Sequence, residues 1–317
     1  MTPRHLIVKG QQIALPTFFP VTTFGGKFPL DDLVRPYLPR FAPGIMVSYH
    51  YAKKMKKRPQ GVVFVDSGGF ASLFEGSQSV DHENFTVITT KEGDEIIPPD
   101  VLTFQEKHAD IGATVDFLIP PDTPQDEAKR RQAQTLKNAL WAVSARTRPN
   151  FMLFASIQAW DAASAMHMTQ ALASHPFDGY ALGGMVPRIS KPNEIIEIIR
   201  AIRSVDPVRP LHVFGIGSPA LMLKLIAAGA DSFDSSSFVR AAVDGKQLHP
   251  SELVWQKISE DHRGRTNCVC PVCQKFDTEY QQLESESNRM ALALHNLSTI
   301  ASALQQPKQS SIQTTTN

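Results

Sequence analysis

The sequence predicts an α/β fold, a TIM (β/α)8 barrel followed by a small metal-binding subdomain. Eight short apolar runs rich in β-branched residues are separated by segments of helical periodicity, which is typical of a parallel sheet with crossover helices. Eight such strands indicate a TIM barrel. All three cysteines of the 317-residue chain lie within six consecutive positions of NCVCPVCQK (267–275), which indicates the appended subdomain.

The composition narrows the class of protein. With 42% hydrophobic residues, 317 residues can bury a core of barrel size. No apolar run reaches the roughly 18 residues that cross a bilayer, and the opening MTPRHLIVKG lacks the apolar centre of a signal peptide. We therefore expect a cytoplasmic protein without membrane contact, whose clustered, reduced cysteines bind metal rather than form disulfides. The net charge of +1 means that any nucleic-acid footprint must be local.

The predicted strands follow an N-terminal segment, HLIVKGQQIAL, which is expected to form a hairpin that closes the barrel floor. They are PTFFPV (16–21), GIMVSYH (44–50), VVFVDSGG (62–69), TVDFLIP (114–120), MLFASIQ (152–158), GYALGGM (179–185), LHVFGIG (211–217) and SFDSSSF (232–238).

Helix signals separate the later strands. Thr123 is expected to cap one helix and Pro124 to occupy its first turn. Ser218 is expected to cap another helix, which Gly229 terminates. Isoleucines recur on one face of a third, the spacing of a helix packed on a sheet: Ile195, Ile198, Ile199 and Ile202.

These elements define the predicted domains. The barrel occupies 1–245, with an insertion at 71–98. A metal-binding subdomain with closing helices occupies 246–304, and the polar residues 305–317 are expected to form a disordered tail.

Polar residues and glycines collect at the C-terminal ends of the predicted strands, where TIM barrels carry their active sites. A single aspartate there can be a loop cap, and a single phenylalanine can belong to the core, but several such residues on one rim indicate a binding site. The rim residues are Asp66-Ser67-Gly68-Gly69-Phe70, Asp116, Asp122, Gln158, Gly183-Gly184, Phe214-Gly215-Ile216-Gly217 and Asp234.

Positive charge is concentrated in one run, KKMKKR (53–58), with weaker runs at KRR (129–131) and HRGR (262–265). Short basic runs are commonly solvated surface, although each can also neutralise phosphates.

Five motifs together resemble the tRNA-guanine transglycosylase superfamily, in order and at compatible spacing. They are VDSGGF (65–70), FDGYALGG (177–184), FGIGSP (214–219), GADSFDS (229–235) and the cysteine cluster followed by LHNL (294–297). The resemblance extends to archaeosine-type and queuine-type enzymes and to bacterial relatives that insert deazaguanine into DNA. It implies a barrel with a zinc subdomain that exchanges guanine in nucleic acid for a free 7-deazaguanine base, without a nucleotide cofactor.

By position, the resemblance implies that Asp234 is the nucleophile and Asp66 the second catalytic aspartate. A carboxylate attacks the sugar C1′ as guanine leaves, the incoming base displaces it, and two displacements give net retention. Two neighbouring carboxylates cannot both ionise cheaply, so Asp66 is expected to handle the proton. Asp231 competes for the nucleophile's role, but it precedes the strand and is expected to support the fold.

Base recognition is assigned on the same resemblance. Asp116 is the first choice for reading the base and Asp122 the second, and Phe70 and Phe214 are expected to sandwich the flat ring. The remaining predicted contacts are Ser67, Gln158 and the backbone amides of Gly183 and Gly184. The target nucleotide must leave its stack to reach this pocket, and with a nucleic-acid substrate the run 53–58 becomes a phosphate contact.

The resemblance and the donor set together predict structural zinc held by Cys268, Cys270, Cys273 and His295. A continuous helix from 274 to 295 would carry His295 about 30 Å away, so the chain must double back. LESESNR (283–289) offers the turn, with Ser285 or Ser287 as the cap of the second helix.

Three other functions fit the same residues less well. A zinc nucleobase deaminase needs a His-x-Glu, which the adjacent His82 and Glu83 do not supply. A sugar-phosphate barrel enzyme fits Gly215 and Gly217 but gives the zinc module no role. A non-catalytic RNA-binding subunit would be expected to lack one of the catalytic aspartates. The polymer stays open between tRNA and DNA, with tRNA favoured, and a homodimer through the zinc face is compatible with the resemblance.

Overall fold

The computed structural model describes residues 4–24, 26–258, 268–276 and 285–305. Its strands are β1 (Arg4–Val8), β2 (Gln11–Leu15), β3 (Thr17–Pro20), β4 (Gly44–Val47), β5 (Val62–Val65), β6 (Gln78–Asp81), β7 (Thr86–Thr89), β8 (Glu95–Ile96), β9 (Ile111–Ala113), β10 (Met152–Ile157), β11 (Gly179–Leu182), β12 (Leu211–Val213), β13 (Ser232–Ser235), β14 (Lys246–Leu248) and β15 (Trp255–Lys257). Its helices are α1 (Pro29–Val34), α2 (Tyr49–Ala52), α3 (Pro98–His108), α4 (Gln125–Ala145), α5 (Ala162–Ala173), α6 (Pro192–Val205), α7 (Pro219–Ala228), α8 (Ser237–Val243), α9 (Pro271–Phe276) and α10 (Glu286–Gln305).

Eight parallel strands form the central sheet, in the order β3-β13-β12-β11-β10-β9-β5-β4. A parallel bridge between Val21 and Met46 connects the two ends, and the Thr22 N–H donates to the Met46 carbonyl at 2.9 Å. The sheet is therefore a nearly closed barrel, which confirms the predicted α/β barrel. Because the strands are parallel, the loops that follow β3, β4, β5 and β9 to β13 lie together at one end of the barrel, which we call its mouth.

The fourth strand lies earlier than predicted. It covers Ile111–Ala113 and pairs with β5 and β10, whereas 114–120 leaves the sheet. The prediction was wrong because alternating apolar residues in this segment imitate a strand, although they are buried outside the sheet: Val115, Phe117 and Ile119. The Phe117 N–H donates to the Thr135 hydroxyl of α4 at 3.0 Å, not to a neighbouring strand. Asp116 consequently lies in the loop beyond the strand end.

The N-terminal hairpin occupies the barrel floor, as predicted. β1 and β2 pair antiparallel, and their apolar side chains pack with the aromatic residues inside the barrel. Leu6, Val8 and Ile13 are buried in this cluster, together with Phe19, Phe64, Phe154 and neighbouring side chains. A second apolar layer lies between the sheet and the surrounding helices. The closed floor leaves the opposite end of the barrel as the accessible one.

The helix signals give mixed outcomes. The four isoleucines of α6 are all buried, and Ser218 accepts a hydrogen bond from the Leu221 N–H at the start of α7, which ends at Gly229. Thr123 does not cap α4; its hydroxyl donates to the Pro120 carbonyl at 2.8 Å instead. The turn after residue 120 keeps Thr123 away from the α4 N–H groups.

Two further units attach to the barrel. The predicted insertion contains an antiparallel sheet of β6, β7 and β8. Helix α10 packs against α8, α1 and β3, and Ser285 caps it by accepting from the Asn288 N–H at 3.2 Å. Within the described ranges, no helix combines the length and the apolarity that a membrane crossing requires. HRGR (262–265) and residues 306–317 of the predicted tail lie outside the described residues.

Candidate active site and metal centre

Asp66 follows β5 directly, at the barrel mouth. Its Oδ1 accepts hydrogen bonds from the backbone N–H groups of Tyr49 and Gly68, both at 2.9 Å. These bonds fix one carboxylate oxygen. Among the described residues the other oxygen, Oδ2, has no hydrogen-bond partner, so it is available for chemistry.

Asp234 lies in β13 and is 7% exposed. Its Oδ1 accepts from the Gly215 N–H at 2.8 Å and lies 3.1 Å from His212 Nε2. The other ring nitrogen of His212, Nδ1, lies 2.9 Å from the Ser232 hydroxyl. No protein group in the described ranges hydrogen-bonds to Oδ2 of Asp234. The carboxylate is thus held at one oxygen and free at the other, which is the arrangement a nucleophile needs.

The pKa of Asp66 depends on its burial and on two neighbouring carboxylates. Burial raises the pKa of Asp66 to about 6 against two backbone hydrogen bonds that lower it, and the negative charges of Asp234 and Asp116 raise it further. Burial also raises the pKa of Asp116. Since charge repulsion acts only over short distances, the side chains of Asp66, Asp116 and Asp234 lie near one another at the strand ends.

Asp116 is buried and uses both oxygens. Ser67 donates its hydroxyl to Oδ1 at 2.7 Å, and Gln158 Nε2 donates to Oδ2 at 2.6 Å. The Ser67 hydroxyl in turn accepts from the Gly69 N–H at 2.9 Å. Ser67 and Gln158 therefore orient Asp116. The side-chain oxygen of Gln158 accepts from the Ile119 N–H, and Gln158 is fully buried, so it supports Asp116 from behind the cavity.

Two glycines are required by the crowding around Asp116. A Cβ at Gly69 would overlap the Asp116 carboxylate, and one at Gly183 would overlap the Gln158 amide. Gly183 is not an available donor as predicted, because its N–H donates to the Ile157 carbonyl at 3.0 Å within the sheet. Gly184 has a left-handed φ of 73°. In the described part of the chain its N–H has no hydrogen-bond partner and remains available to a ligand.

The two predicted stacking rings have different surroundings. Phe70 is 62% exposed and meets Phe74 edge to face at 5.8 Å. Phe214 is half-buried and packs edge to face on His212 at 4.8 Å. Phe70 is accessible to a ligand, whereas Phe214 covers the imidazole beside Asp234.

The structure separates the alternative aspartates. Asp122 is exposed and has a left-handed φ of 65°, while Asp116 is buried between Ser67 and Gln158. Asp231 forms ion pairs with Arg4 and Arg203, and its carboxylate accepts from the Leu211 N–H at the start of β12. Asp231 therefore supports the fold, as expected.

The four predicted metal ligands meet at one point. Their ligand atoms all lie within 4.8 Å of one another, and His295 Nδ1 is 3.6, 3.5 and 3.2 Å from the sulfurs of Cys268, Cys270 and Cys273. A tetrahedral zinc with Zn–S of about 2.3 Å and Zn–N of about 2.05 Å separates nitrogen and sulfur by about 3.6 Å. The donor set therefore fits zinc.

The ring of His295 is oriented so that Nδ1 can bind a metal ion. His295 Nε2 donates to the Leu248 carbonyl at 3.0 Å, which leaves the Nδ1 lone pair directed at the sulfurs. A hydrogen bond with Cys273 is the main cause that lowers the pKa of Cys270, to about 3. Burial lowers the pKa of His295, but its contacts with Cys268 and Cys270 outweigh this and raise it to about 9. A bound metal ion would replace the proton that His295 Nδ1 shares with these sulfurs, because metal ligands bind in their deprotonated form.

Sequence reasoning missed three contributors to these sites. His212 pairs in register with Ser232 of the neighbouring strand and points into the barrel, a position that alternation along β12 could have indicated. The Tyr49 N–H and the Leu248 carbonyl are backbone groups. Their roles depend on where distant loops meet, and every residue type except proline carries the same backbone groups, so the sequence does not identify them.

The sequence is similar to those of known proteins. Residues 46–316 match the family described as queuine tRNA-ribosyltransferase. The tRNA-guanine(15) transglycosylase of Pyrococcus furiosus is 28% identical over 326 aligned residues, 96% of this chain and 51% of that protein. Its counterparts from Pyrococcus abyssi and Methanopyrus kandleri are each 28% identical, over 78% and 75% of this chain and 40% and 48% of their own lengths. This chain thus spans about half or less of these relatives. Because the family match covers most of the sequence, the chain belongs to the queuine tRNA-ribosyltransferase family.

Proposed function

We propose that this protein is a nucleic-acid guanine transglycosylase that exchanges a guanine, most readily in tRNA, for a free 7-deazaguanine base. The observation that carries the proposal is the pair Asp66 and Asp234: Asp66 follows β5 and Asp234 lies in β13, yet the charge of Asp234 contributes to the raised pKa of Asp66. The names of the archaeal relatives favour tRNA as the polymer.

The first displacement uses the free oxygen of Asp234. Oδ2 attacks C1′ of the target ribose, the C1′–N9 bond breaks, and its electron pair leaves with the guanine ring. Asp66 supplies the proton that the departing base needs, because a carboxyl with a pKa of about 6 is partly protonated near neutral pH. The result is an aspartyl-ribosyl ester, a neutral guanine and an ionised Asp66.

The second displacement reverses these steps with a different base. The incoming 7-deazaguanine attacks C1′ from the vacated face, its ring N–H proton passes to Asp66, and the ester electrons return to the Asp234 carboxylate. Both aspartates regain their starting states. The configuration at C1′ is retained because it has been inverted twice.

Asp116 is the group we assign to recognition of the base. Guanine and 7-deazaguanine both present N–H donors on one edge, and a carboxylate is a suitable acceptor for them. Ser67 and Gln158 hold its two oxygens at 2.7 and 2.6 Å, so the acceptor is oriented before the base arrives.

His212 is proposed to position the nucleophile. If Nε2–H donates to Asp234 Oδ1, Nδ1 accepts from the Ser232 hydroxyl, and this tautomer satisfies both nitrogens of the fully buried ring. Together with the Gly215 N–H, it holds Oδ1 so that Oδ2 points to the cavity.

We propose that Cys268, Cys270, Cys273 and His295 hold zinc in a subdomain formed by residues 246–304. With four protein ligands the ion has no open position, so its contribution is structural. In this proposal the ligands fasten the segment around α9 to α10, which packs on the barrel.

Base exchange is tested by incubating the purified protein with radiolabelled guanine and either tRNA or duplex DNA. We expect label in tRNA, released again by excess unlabelled 7-deazaguanine. Label in DNA alone would show that the polymer is DNA, as in the relatives that insert deazaguanine into DNA. Label in neither polymer, with both bound, would favour a non-catalytic nucleic-acid-binding subunit.

The raised pKa of Asp66 should make the free energy of unfolding depend on pH. Its folded pKa of about 6 lies above the ordinary value of 3.8, so the folded state binds this proton more tightly than the unfolded chain does. The stability due to that proton is full below about pH 4 and is lost as the pH rises through about 6. Asp66→Asn stays neutral and keeps an acceptor for the Tyr49 and Gly68 N–H groups. We therefore expect it to raise the melting temperature at about pH 8 but not at about pH 4.

The same substitution should lower activity although it raises stability at high pH. In the parent protein, kcat/KM for the nucleic acid is expected to fall as the pH rises above about 6, because the free enzyme needs protonated Asp66. In Asp66→Asn it should be lower by about 10²-fold or more and lose this inflection. A variant that keeps the same pH profile would exclude Asp66 as the proton donor.

A further inference from the structure

Two loops beside Asp66 form an exposed surface that the proposed chemistry does not use. Residues 26–28 follow β3, and residues 48–54 contain α2 and follow β4, so both loops lie at the mouth of the barrel. The Tyr49 N–H of the second loop holds the Asp66 carboxylate at 2.9 Å. The second loop is therefore joined directly to the candidate catalytic aspartate.

Aromatic rings and cations alternate on this surface. Phe28, which is 45% exposed, meets Tyr51 edge to face at 6.3 Å. Lys27 Nζ lies 5.6 Å from the Phe28 ring and Lys54 Nζ 5.4 Å from the Tyr51 ring, while the exposed His50 ring is 5.1 Å from Tyr51. We call Lys27, Phe28, His50, Tyr51 and Lys54 the basic-aromatic patch. Each loop contributes a ring and a cation to it.

The lysines give the patch a positive charge. In the part of the chain that the structure describes, Lys27 and Lys54 form no ion pair within 4.0 Å. Burial lowers the pKa of His50, and the charges of Lys54, Lys53 and Lys27 lower it further, while Asp94 alone opposes them. Like charges gathered without sufficient counter-charge favour an anionic partner.

Only part of the basic run at 53–58 belongs to the patch. Arg58 forms an ion pair with Asp110, and its NH1 donates to the His108 carbonyl at 2.8 Å, so it belongs to the barrel structure and not to the patch. Lys56 and Lys57 are exposed and have no ring contact among the described residues. They carry the same charge as Lys27 and Lys54, which makes them matched controls.

We propose that the basic-aromatic patch binds the unpaired nucleotide next to the guanosine that enters the pocket, a role that rests on the proposed function. Lys27 and Lys54 contact the flanking phosphates, and Phe28 and Tyr51 stack on the flanking base. Cations interleaved with accessible rings fit single-stranded nucleic acid, because each nucleotide offers both a phosphate and a flat face. A target base that leaves its stack also unstacks its neighbour, which then needs a new surface.

The test measures binding of a fluorescent single-stranded RNA octamer containing one guanine, by anisotropy, at several salt concentrations. Lys27→Ala/Lys54→Ala is expected to weaken binding at least tenfold and to reduce the slope of log K against log salt by about 1.4, for two lost phosphate contacts. Phe28→Ala/Tyr51→Ala should weaken binding at least fivefold and leave the slope unchanged. Lys56→Ala/Lys57→Ala should stay within twofold of the parent protein.

Circular dichroism melts establish that each variant is folded before binding is compared. Equal losses in the two lysine pairs, or no loss in Phe28→Ala/Tyr51→Ala, would overturn the patch. If the parent protein binds the octamer through these residues but incorporates no labelled guanine, the patch stands and the transglycosylase proposal fails. If the parent incorporates guanine and both patch variants keep its KM for tRNA, the patch fails alone.

Discussion

Asp234→Asn is expected to abolish incorporation of labelled guanine, by about 10⁴-fold or more, while the protein keeps its fold. The new side chain can still accept from the Gly215 N–H through its oxygen, but the oxygen that is free in the parent becomes an amide nitrogen. It can no longer form the ester with C1′. The measurement is guanine incorporation into tRNA, together with denaturing electrophoresis for the covalent protein-RNA adduct, which should be absent.

Asp231→Asn is the matched control for this experiment. Asp231 lies three positions earlier and is as well buried, but it pairs with Arg4 and Arg203 away from the cavity. Removing the charge from a buried ion pair costs about 3 kcal/mol, so the melting temperature should fall while the folded fraction keeps its exchange rate. Were Asp234→Asn to unfold the protein and Asp231→Asn to abolish the adduct, the two assignments would be reversed.

Removal of the metal is expected to have the largest effect on stability. His295→Ala should reduce zinc, measured by elemental analysis, from one equivalent to near zero. Loss of one ligand opens the site, and it also leaves the Leu248 carbonyl without its imidazole donor. We expect a loss of about 3 to 4 kcal/mol and a fall in melting temperature of about 10 °C, less than the full binding energy of structural zinc, because α10 also packs on the barrel.

His167→Ala provides the control, since His167 is an exposed histidine on α5. It should keep both the zinc and the melting temperature. A chelator strong enough to remove zinc should destabilise the parent protein somewhat less than His295→Ala does, because the imidazole still donates to the Leu248 carbonyl, and it should leave the variant unchanged. Full zinc content in His295→Ala would refute the four-ligand site.

Much of the candidate site could be predicted because its residues belong to local patterns. The strand that ends in Asp66 and the strand that contains Asp234 are short apolar runs, and parallel strands in a barrel bring such ends to one mouth. The cysteine spacing likewise predicted the cluster that could hold a metal, and Ser285 was one of the two caps proposed for the helix that returns His295 to it. These inferences needed only periodicity, spacing and the motif resemblance.

The predictions were wrong where groups in a strand-like segment form their hydrogen bonds with residues far away in the sequence. Residues 114–120 alternate like a strand, but Phe117 bonds to α4 and Asp116 to Ser67, so the sheet ends at Ala113. Gly183 resembled a free donor, but the neighbouring strand uses its N–H. In both cases the hydrogen-bond partner lies tens of residues away, and sequence periodicity carries no information about it.

The sequence by itself predicted the barrel and the four candidate metal ligands, because burial periodicity and ligand spacing are encoded within short segments, and the motif resemblance added the two candidate catalytic aspartates. Only the tertiary structure decided which carboxylate oxygen is free, that His212 supports Asp234, and that Arg58 separates from the basic-aromatic patch. Those outcomes depend on distances between loops from different strands. The physical reason is that hydrogen bonds and charge repulsion act over a few ångströms of space, whatever the separation along the chain.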